Sequence, residues 1–189
     1  MAAGPAPDLV DVIIADHREM EALFTELEHE RRDSDPGRRR DLVDHLITEL
    51  VRHAVAEEQY LYPEARAVLY DGDDIADREL DEHAAAEALM KRLEAFDVTV
   101  PEFAVLLAQL IKQTRQRVEE QEANLLPRLR TTCDPARLRE LGERFRAGKQ
   151  AAPTRPHPAV PHTPPADKIL TPGTGLIDRL RDALTGRGS

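Results

Sequence analysis

The chain has no tryptophan, only three tyrosines and four phenylalanines, and a single cysteine, Cys133. One cysteine excludes a disulfide framework or a multi-thiolate metal site within one chain, and thiol poverty of this kind suits a reducing cytoplasm. Long apolar runs are missing too. The opening MAAGPAPDLVDVIIADH has neither a basic start nor an extended hydrophobic stretch, and no later segment approaches the length needed to span a bilayer. The expectation is a chain without a membrane segment that stays in the cytoplasm where it is made. There is also no glycine-rich phosphate cradle, so nothing points to a nucleotide.

Basic residues are outnumbered, 26 Lys and Arg against 36 Asp and Glu, and the formal net charge is -10. From Gly148 onward six Lys or Arg outweigh three Asp, so that stretch is +3 and residues 1 to 147 carry -13. A body this acidic repels phosphate backbones, which argues against nucleic acid as a partner.

What the chain does contain is helical periodicity. Its 189 residues suffice for one domain with a core and an appendix. After a frayed start at residues 1–7, Leu9, Val12, Ile13, His17, Met20, Leu23, Phe24 and Leu27 make one face of a helix from about Asp8 to Arg32. Asp33 to Gly37 is a turn, and a second helix runs from about Pro36 to Pro63, where the proline kinks or ends it. A third covers roughly Asp74 to Phe96, with Ala76, Leu80, His83, Glu87, Met90 and Leu93 inward. A fourth runs from Pro101 to about Arg130 through Phe103, Leu107, Leu110 and Leu125. Four such segments with short connections specify an all-α, up-down-up-down four-helix bundle, here residues 8–147. A short fifth helix from Pro135 to about Arg146 is expected to cap one end. Residues 148–189 are rich in Pro and His and cannot build a core, so a largely disordered tail is expected. Its Leu176, Ile177, Leu180 and Leu184 form a short amphipathic segment for an unspecified partner.

The bundle is organised around His53-Ala54-Val55-Ala56-Glu57. Residues four apart share one helix face, and the stripe Leu42, Leu46, Leu50, His53, Glu57, Leu61 turns this pair toward the core. A carboxylate there needs a partner, and a buried metal is a good one. His17 lies inside the first stripe, and His83 with Glu87 repeats the spacing on the third helix. The candidate metal ligands are therefore His17, His53, Glu57, His83 and Glu87. Three imidazoles and two carboxylates suit iron, manganese or zinc better than calcium or magnesium. Two ions sharing a bridging carboxylate and one ion held by four or five groups are both open. Glu58 is read as solvated or paired with an arginine, Tyr60 and Tyr62 as packing residues with hydrogen-bond donors to the ligands or oxygen ligands as the alternative, and His45 as a rim residue.

Ala15-Asp16-His17-Arg18, then His53-x-x-x-Glu57-Glu58-x-x-Leu61-Tyr62-Pro63, then Glu82-His83 occur in an order and spacing that resembles the bacterial hemerythrin-like, or HHE cation-binding, proteins from about Asp8 to Arg130. The tail resembles actinobacterial members. The resemblance implies a non-haem di-iron centre that binds dioxygen, reacts with peroxide or nitric oxide, or senses them, with His17, His53, Glu57 and His83 as ligands. It also implies a histidine followed by a glutamate four residues later on helix four, where this chain has Arg117 and Gln121. The ligand set is therefore incomplete. Glu87, Glu120 and Glu122 are the substitutes in reach. The expected function is non-haem iron binding, with one or two ions, related to redox or small gases. Two alternatives stand beside it: a metal-free structural or interaction bundle in which Arg117 pairs with Glu57 or Glu87, and an iron sensor without catalysis.

Overall fold

The computed structural model describes residues 6–29 and 35–155. The tail from residue 156, with its expected disorder, lies outside the described residues, as do residues 1–5 and the predicted last turn of helix one. The described chain is all-α. It comprises α1 (Leu9–His29), α2 (Pro36–Ala56), α3 (Tyr62–Val68), α4 (Gly72–Ala95), α5 (Pro101–Glu120), α6 (Leu126–Thr132) and α7 (Pro135–Ala151). α2 passes into α3 through a π-helical turn at Glu57–Leu61, and α5 into α6 through another at Gln121–Leu125. Four long rods result, as the periodicity predicts, with a fifth helix added.

Local chemistry sets the helix starts. Asp8 and Asp11 exchange hydrogen bonds, the Asp11 N–H donating to Asp8 Oδ1 and the Asp8 N–H to Asp11 Oδ2, a reciprocal cap on α1. Asp35 accepts from the Gly37 N–H ahead of α2, and Asp134 from the Ala136 and Arg137 N–H groups ahead of α7, each with proline following. α4 begins where it packs tightly on α3: a Cβ on Gly72 would come within 2.1 Å of the Ala65 carbonyl oxygen. Gly72→Ala is thus expected to lower stability by about 1–3 kcal/mol through overpacking. A thermal or urea melt checks this, and an unchanged midpoint would contradict the close packing.

Both π turns have the same cause. Pro63 and Pro127 lack an N–H, and their rings crowd the carbonyls four residues earlier, those of Gln59 and Ala123, which lie inside the two turns and open them to five-residue closure. The Tyr62 N–H donates to the Glu57 carbonyl, and the Leu126 N–H to that of Gln121.

The apolar interior falls into two clusters. One gathers Leu9, Ile13, Leu61, Leu126, Leu129 and Phe145, and the other Met20, Phe24, Leu46, Leu93, Phe103 and Leu110. His17, His53, Glu57, His83, Arg117 and Gln121 fall along the helices between these clusters and are all buried. The bundle thus encloses a polar layer.

α7 differs from its expected role. It ends at Ala151 instead of Arg146, and it packs along α1 and α2 instead of capping the bundle. Gly142 and Gly148 make that possible. A Cβ on Gly142 would approach the Asp8 carbonyl carbon to 2.8 Å, and one on Gly148 would approach the Tyr60 ring to 2.5 Å. Gly148, taken from sequence as the start of the tail, is a contact point inside the helix. No helix among the described residues is long and apolar enough to cross a membrane.

Candidate metal centre

His17 on α1, His53 at the end of α2 and Glu57 at the first position of the π turn converge, with one ligand atom from each lying within 4.8 Å of the others. They are 2%, 1% and 0% exposed. An ion with bonds of about 2.1 Å spaces its ligands roughly 3–4 Å apart, a small side-chain adjustment from this arrangement. His17 Nε2, His53 Nε2 and Glu57 Oε1 have no hydrogen-bond partner among the described residues. His53 Nε2 and Glu57 Oε1 are 3.3 Å apart without hydrogen-bond geometry. Three buried, unpartnered ligand atoms aimed at one point are costly unless something fills it.

The opposite face of each imidazole is anchored. His17 Nδ1 lies 2.9 Å from Glu122 Oε1, and His53 Nδ1 lies 3.1 Å from Asp16 Oδ2. A carboxylate on Nδ1 fixes the proton there and leaves the Nε2 lone pair for a metal. The supports extend outward. Arg18 grips Glu122 with contacts of 2.9 and 2.6 Å, and Lys149 of α7 lies 3.0 Å from Asp16 Oδ2. The Phe145 ring meets the His53 ring edge-on at 5.7 Å. α7 therefore closes the histidine side of the centre, a role its sequence does not signal. Asp16→Asn and Glu122→Gln are each expected to weaken metal binding about 10–100-fold while leaving the fold intact. Competition with a coloured chelator reads this out, and unchanged affinity in both variants would exclude the anchoring role.

Burial, followed by repulsion from His53, pushes the His17 imidazole down to about 4, so it is neutral and ready to ligate. Burial works against charge on His53 as well, but Glu57 and Asp16 outweigh it and raise its affinity for a proton. For Glu57 burial opposes ionisation, and His53, His83 and Arg117 overcome it, holding the carboxyl well below the usual range. Glu57 is thus an anion inside the bundle, as a metal ligand must be.

His83 is buried on the far side of Glu57, with Nε2 3.1 Å from Glu57 Oε2 and Nδ1 3.0 Å from Glu58 Oε1. Glu58 thereby supports an imidazole and is not solvated. Tyr62 does more than pack: its hydroxyl lies 3.2 Å from Glu57 Oε2, 3.3 Å from Glu79 Oε2 and 3.1 Å from His83 Nε2. Residues five apart diverge by about 140° on an α-helix. The π turn brings Tyr62 back onto the Glu57 side. Gln121 Nε2 donates to Glu79 Oε2 at 2.7 Å. Arg117, 6% exposed, completes this half, its charge opposed by burial and held by Glu57, Tyr62, Glu79 and Glu82.

The structure therefore places His17, His53 and Glu57 together and sets His83 beside them in a hydrogen-bonded network. Glu87 is half-buried, one turn beyond His83 on α4, and is not among the three converging residues. His45 and His29 are exposed. Glu79 was missed by sequence reasoning, although it stands four residues before His83 and mirrors the His53 to Glu57 spacing. A separate surface groove of about 480 Å³, bordered by Leu27, Arg39, Leu107, Ile111 and Arg115, includes none of the centre's residues.

This layer of histidines and carboxylates, set between the rods of a bundle, matches a known domain. The family model for the hemerythrin HHE cation-binding domain covers residues 8–129. The chain belongs to the hemerythrin HHE family. Among curated relatives, an uncharacterized hemerythrin-like protein of Schizosaccharomyces pombe is 25% identical over 175 residues, 92% of this chain and 85% of that protein. A protein of Nostoc named DNA nickase is 29% identical over 143 residues, which span 75% of this chain but only 39% of the Nostoc protein. The fold is similar to the crystal structure of a hemerythrin HHE cation-binding domain-containing protein from Mycobacterium kansasii, with a TM-score of 0.66 and 20% identity, covering 77% of this chain and 86% of that one. Within this hemerythrin-like chain the His/His/Glu cluster fits one ion by its orphaned atoms and donor types, while Arg117 and Gln121 leave the other half without a matching set.

Proposed function

We propose that this hemerythrin-like protein holds a single non-haem iron through His17, His53 and Glu57 and uses it for redox chemistry with a small oxidant or gas such as dioxygen, peroxide or nitric oxide. We place its tail with the actinobacterial type. The observation that carries this reading is the convergence of three buried ligand atoms that have no partner among the described residues. Two histidines and one carboxylate are a donor set that leaves coordination positions open on iron. A bound iron there supplies a one-electron couple and an open position for a small molecule.

The protein's own residues supply the rest. Asp16 and Glu122 orient the two imidazoles. Tyr62 and His83 sit on Glu57 Oε2, so a proton can be held or passed next to the ligand carboxylate without solvent. Phe145 and the two apolar clusters exclude bulk water. Loss of the helix-four ligand pair makes reversible dioxygen carriage by two irons the least supported member of this class. A nucleic-acid role, suggested by the name of the Nostoc relative, gains no support from a body of charge -13 over residues 1–147, obtained by setting the +3 of residues 148–189 against the total of -10.

The test is an anaerobic titration of iron(II)-loaded protein with nitric oxide, followed by absorption and electron paramagnetic resonance. A new spectrum saturating at one equivalent per iron, and absent from the Glu57→Gln variant, is the expected result. Spectra unchanged by nitric oxide would exclude an open position.

A further inference from the structure

The centre is built twice. The π turn at 57–61 recurs at 121–125, a shift of 64 residues, and the same shift carries Glu58 to Glu122 and Pro63 to Pro127. The helices that supply the facing histidines repeat as well, at a shift of 66, His17 on α1 corresponding to His83 on α4. The contacts obey the repeat. His17 Nδ1 lies 2.9 Å from Glu122 Oε1, and His83 Nδ1 lies 3.0 Å from Glu58 Oε1, so each half anchors its histidine with the π-turn acid of the other.

Three of the positions that break the repeat put a different polar side chain into the second half. The counterpart of His53 is Arg117, that of Glu57 is Gln121, and that of the apolar Ile13 is Glu79. All three changes meet in one volume. Gln121 Nε2 donates to Glu79 Oε2 at 2.7 Å, Glu79 shares the Tyr62 hydroxyl with Glu57, and the charge of Arg117 is balanced by Glu57 and Glu79. The acid lost from the π turn has in effect moved to α4, one turn before His83. A cation has been gained where the first half offers an empty ligand pair. Such concerted replacement sets a cation among the acids of the second half, where Arg117 Nε and Gln121 Oε1 are the buried atoms left without a hydrogen-bond partner among the described residues, whereas the three orphaned atoms of the first half are all metal-ligand atoms.

We propose that the Arg117 guanidinium is the resident cation of the second half-site, standing where the repeat would place a second metal ion, and that Arg117 with Gln121 limits this chain to one ion. The inference deepens the single-iron reading and rests on it for the first half only. It has a structural corollary: Glu57 Oε2 is committed to the guanidinium half through Tyr62 and His83, so Glu57 offers only Oε1 to the ion.

The experiment restores the repeat. Wild type and the Arg117→His, Gln121→Glu double variant are loaded with cobalt(II), desalted and analysed for metal per chain, with circular dichroism confirming helix content. The expected result is a single ion in wild type and one ion more in the double variant. If the double variant does not fold, Arg117→His alone is measured, and a second, weaker equivalent in its titration is expected. A folded variant with no more metal than wild type overturns the proposal, as does a wild type that takes up two ions. Wild type without metal would sink the single-iron reading, and the increment between wild type and variant would still decide the role of Arg117.

Discussion

Arg117→Met is expected to destabilise the protein by about 3–5 kcal/mol, lowering the melting temperature by roughly 6–20 °C. The cause is electrostatic, since methionine fills similar volume. Arg117 is 6% exposed, and the charges of Glu57, Glu79 and Glu82 favour its ionised form. Without it, the ionised Glu57 keeps only His53 and His83 as groups that favour its charge, and Glu79, whose carboxyl burial and Glu57 already push toward neutrality, loses one of the groups that oppose that push. Adding Glu79→Gln should recover part of the loss, because the second change removes an acid that the first leaves uncompensated. Chemical denaturation of the two variants beside wild type measures both effects. A loss below about 1 kcal/mol for Arg117→Met, in the range of an exposed ion pair, would show that the guanidinium does not hold the layer together.

The second large effect concerns Glu57, which is fully buried and shared by both halves. Glu57→Gln preserves shape but removes the only carboxylate of the converging cluster. Metal affinity should fall more than about 100-fold, beyond the 10–100-fold typical of supporting residues. The amide Nε2 also brings a donor to face His53 and Arg117, so stability should drop even without metal. Isothermal titration with cobalt(II), alongside a melt of the metal-free variant, separates the two consequences. Metal affinity equal to wild type would mean that the ion sits elsewhere.

Much of this was legible in the chain because periodicity and covalent constraints speak directly. The stripes through His17, His53 and His83 placed all three histidines inside, where each is at most 2% exposed. Pro63 announced a disturbance of the second helix, and Pro127 echoed it. A helical stripe could not reveal the kind of disturbance. A π turn shifts everything after it to a new face, so for Tyr62 packing is the first reading from sequence and a donor to the ligands the second, and the structure carries its hydroxyl into the centre. Glu87 and Glu79 show the same limit: both lie four residues from His83, on opposite sides, and it is Glu79 that reaches Gln121. α7 escaped for another reason. Gly148 reads as a helix breaker, yet it is the small residue that lets α7 lie against Tyr60 and bring Lys149 to Asp16. The departure at Arg117 and Gln121 was plain from sequence, while its compensation by Glu79 needed three-dimensional proximity.

The central claim is that one half of a duplicated centre binds metal and the other carries its own cation. Elemental analysis of the full-length chain, purified from iron-supplied cells and desalted, tests it most directly when paired with the same measurement on Glu57→Gln. The account predicts a single iron per wild-type chain and essentially none in the variant. Two irons per wild-type chain, or a wild type that stays free of iron and melts at the same temperature when iron is supplied, would contradict it.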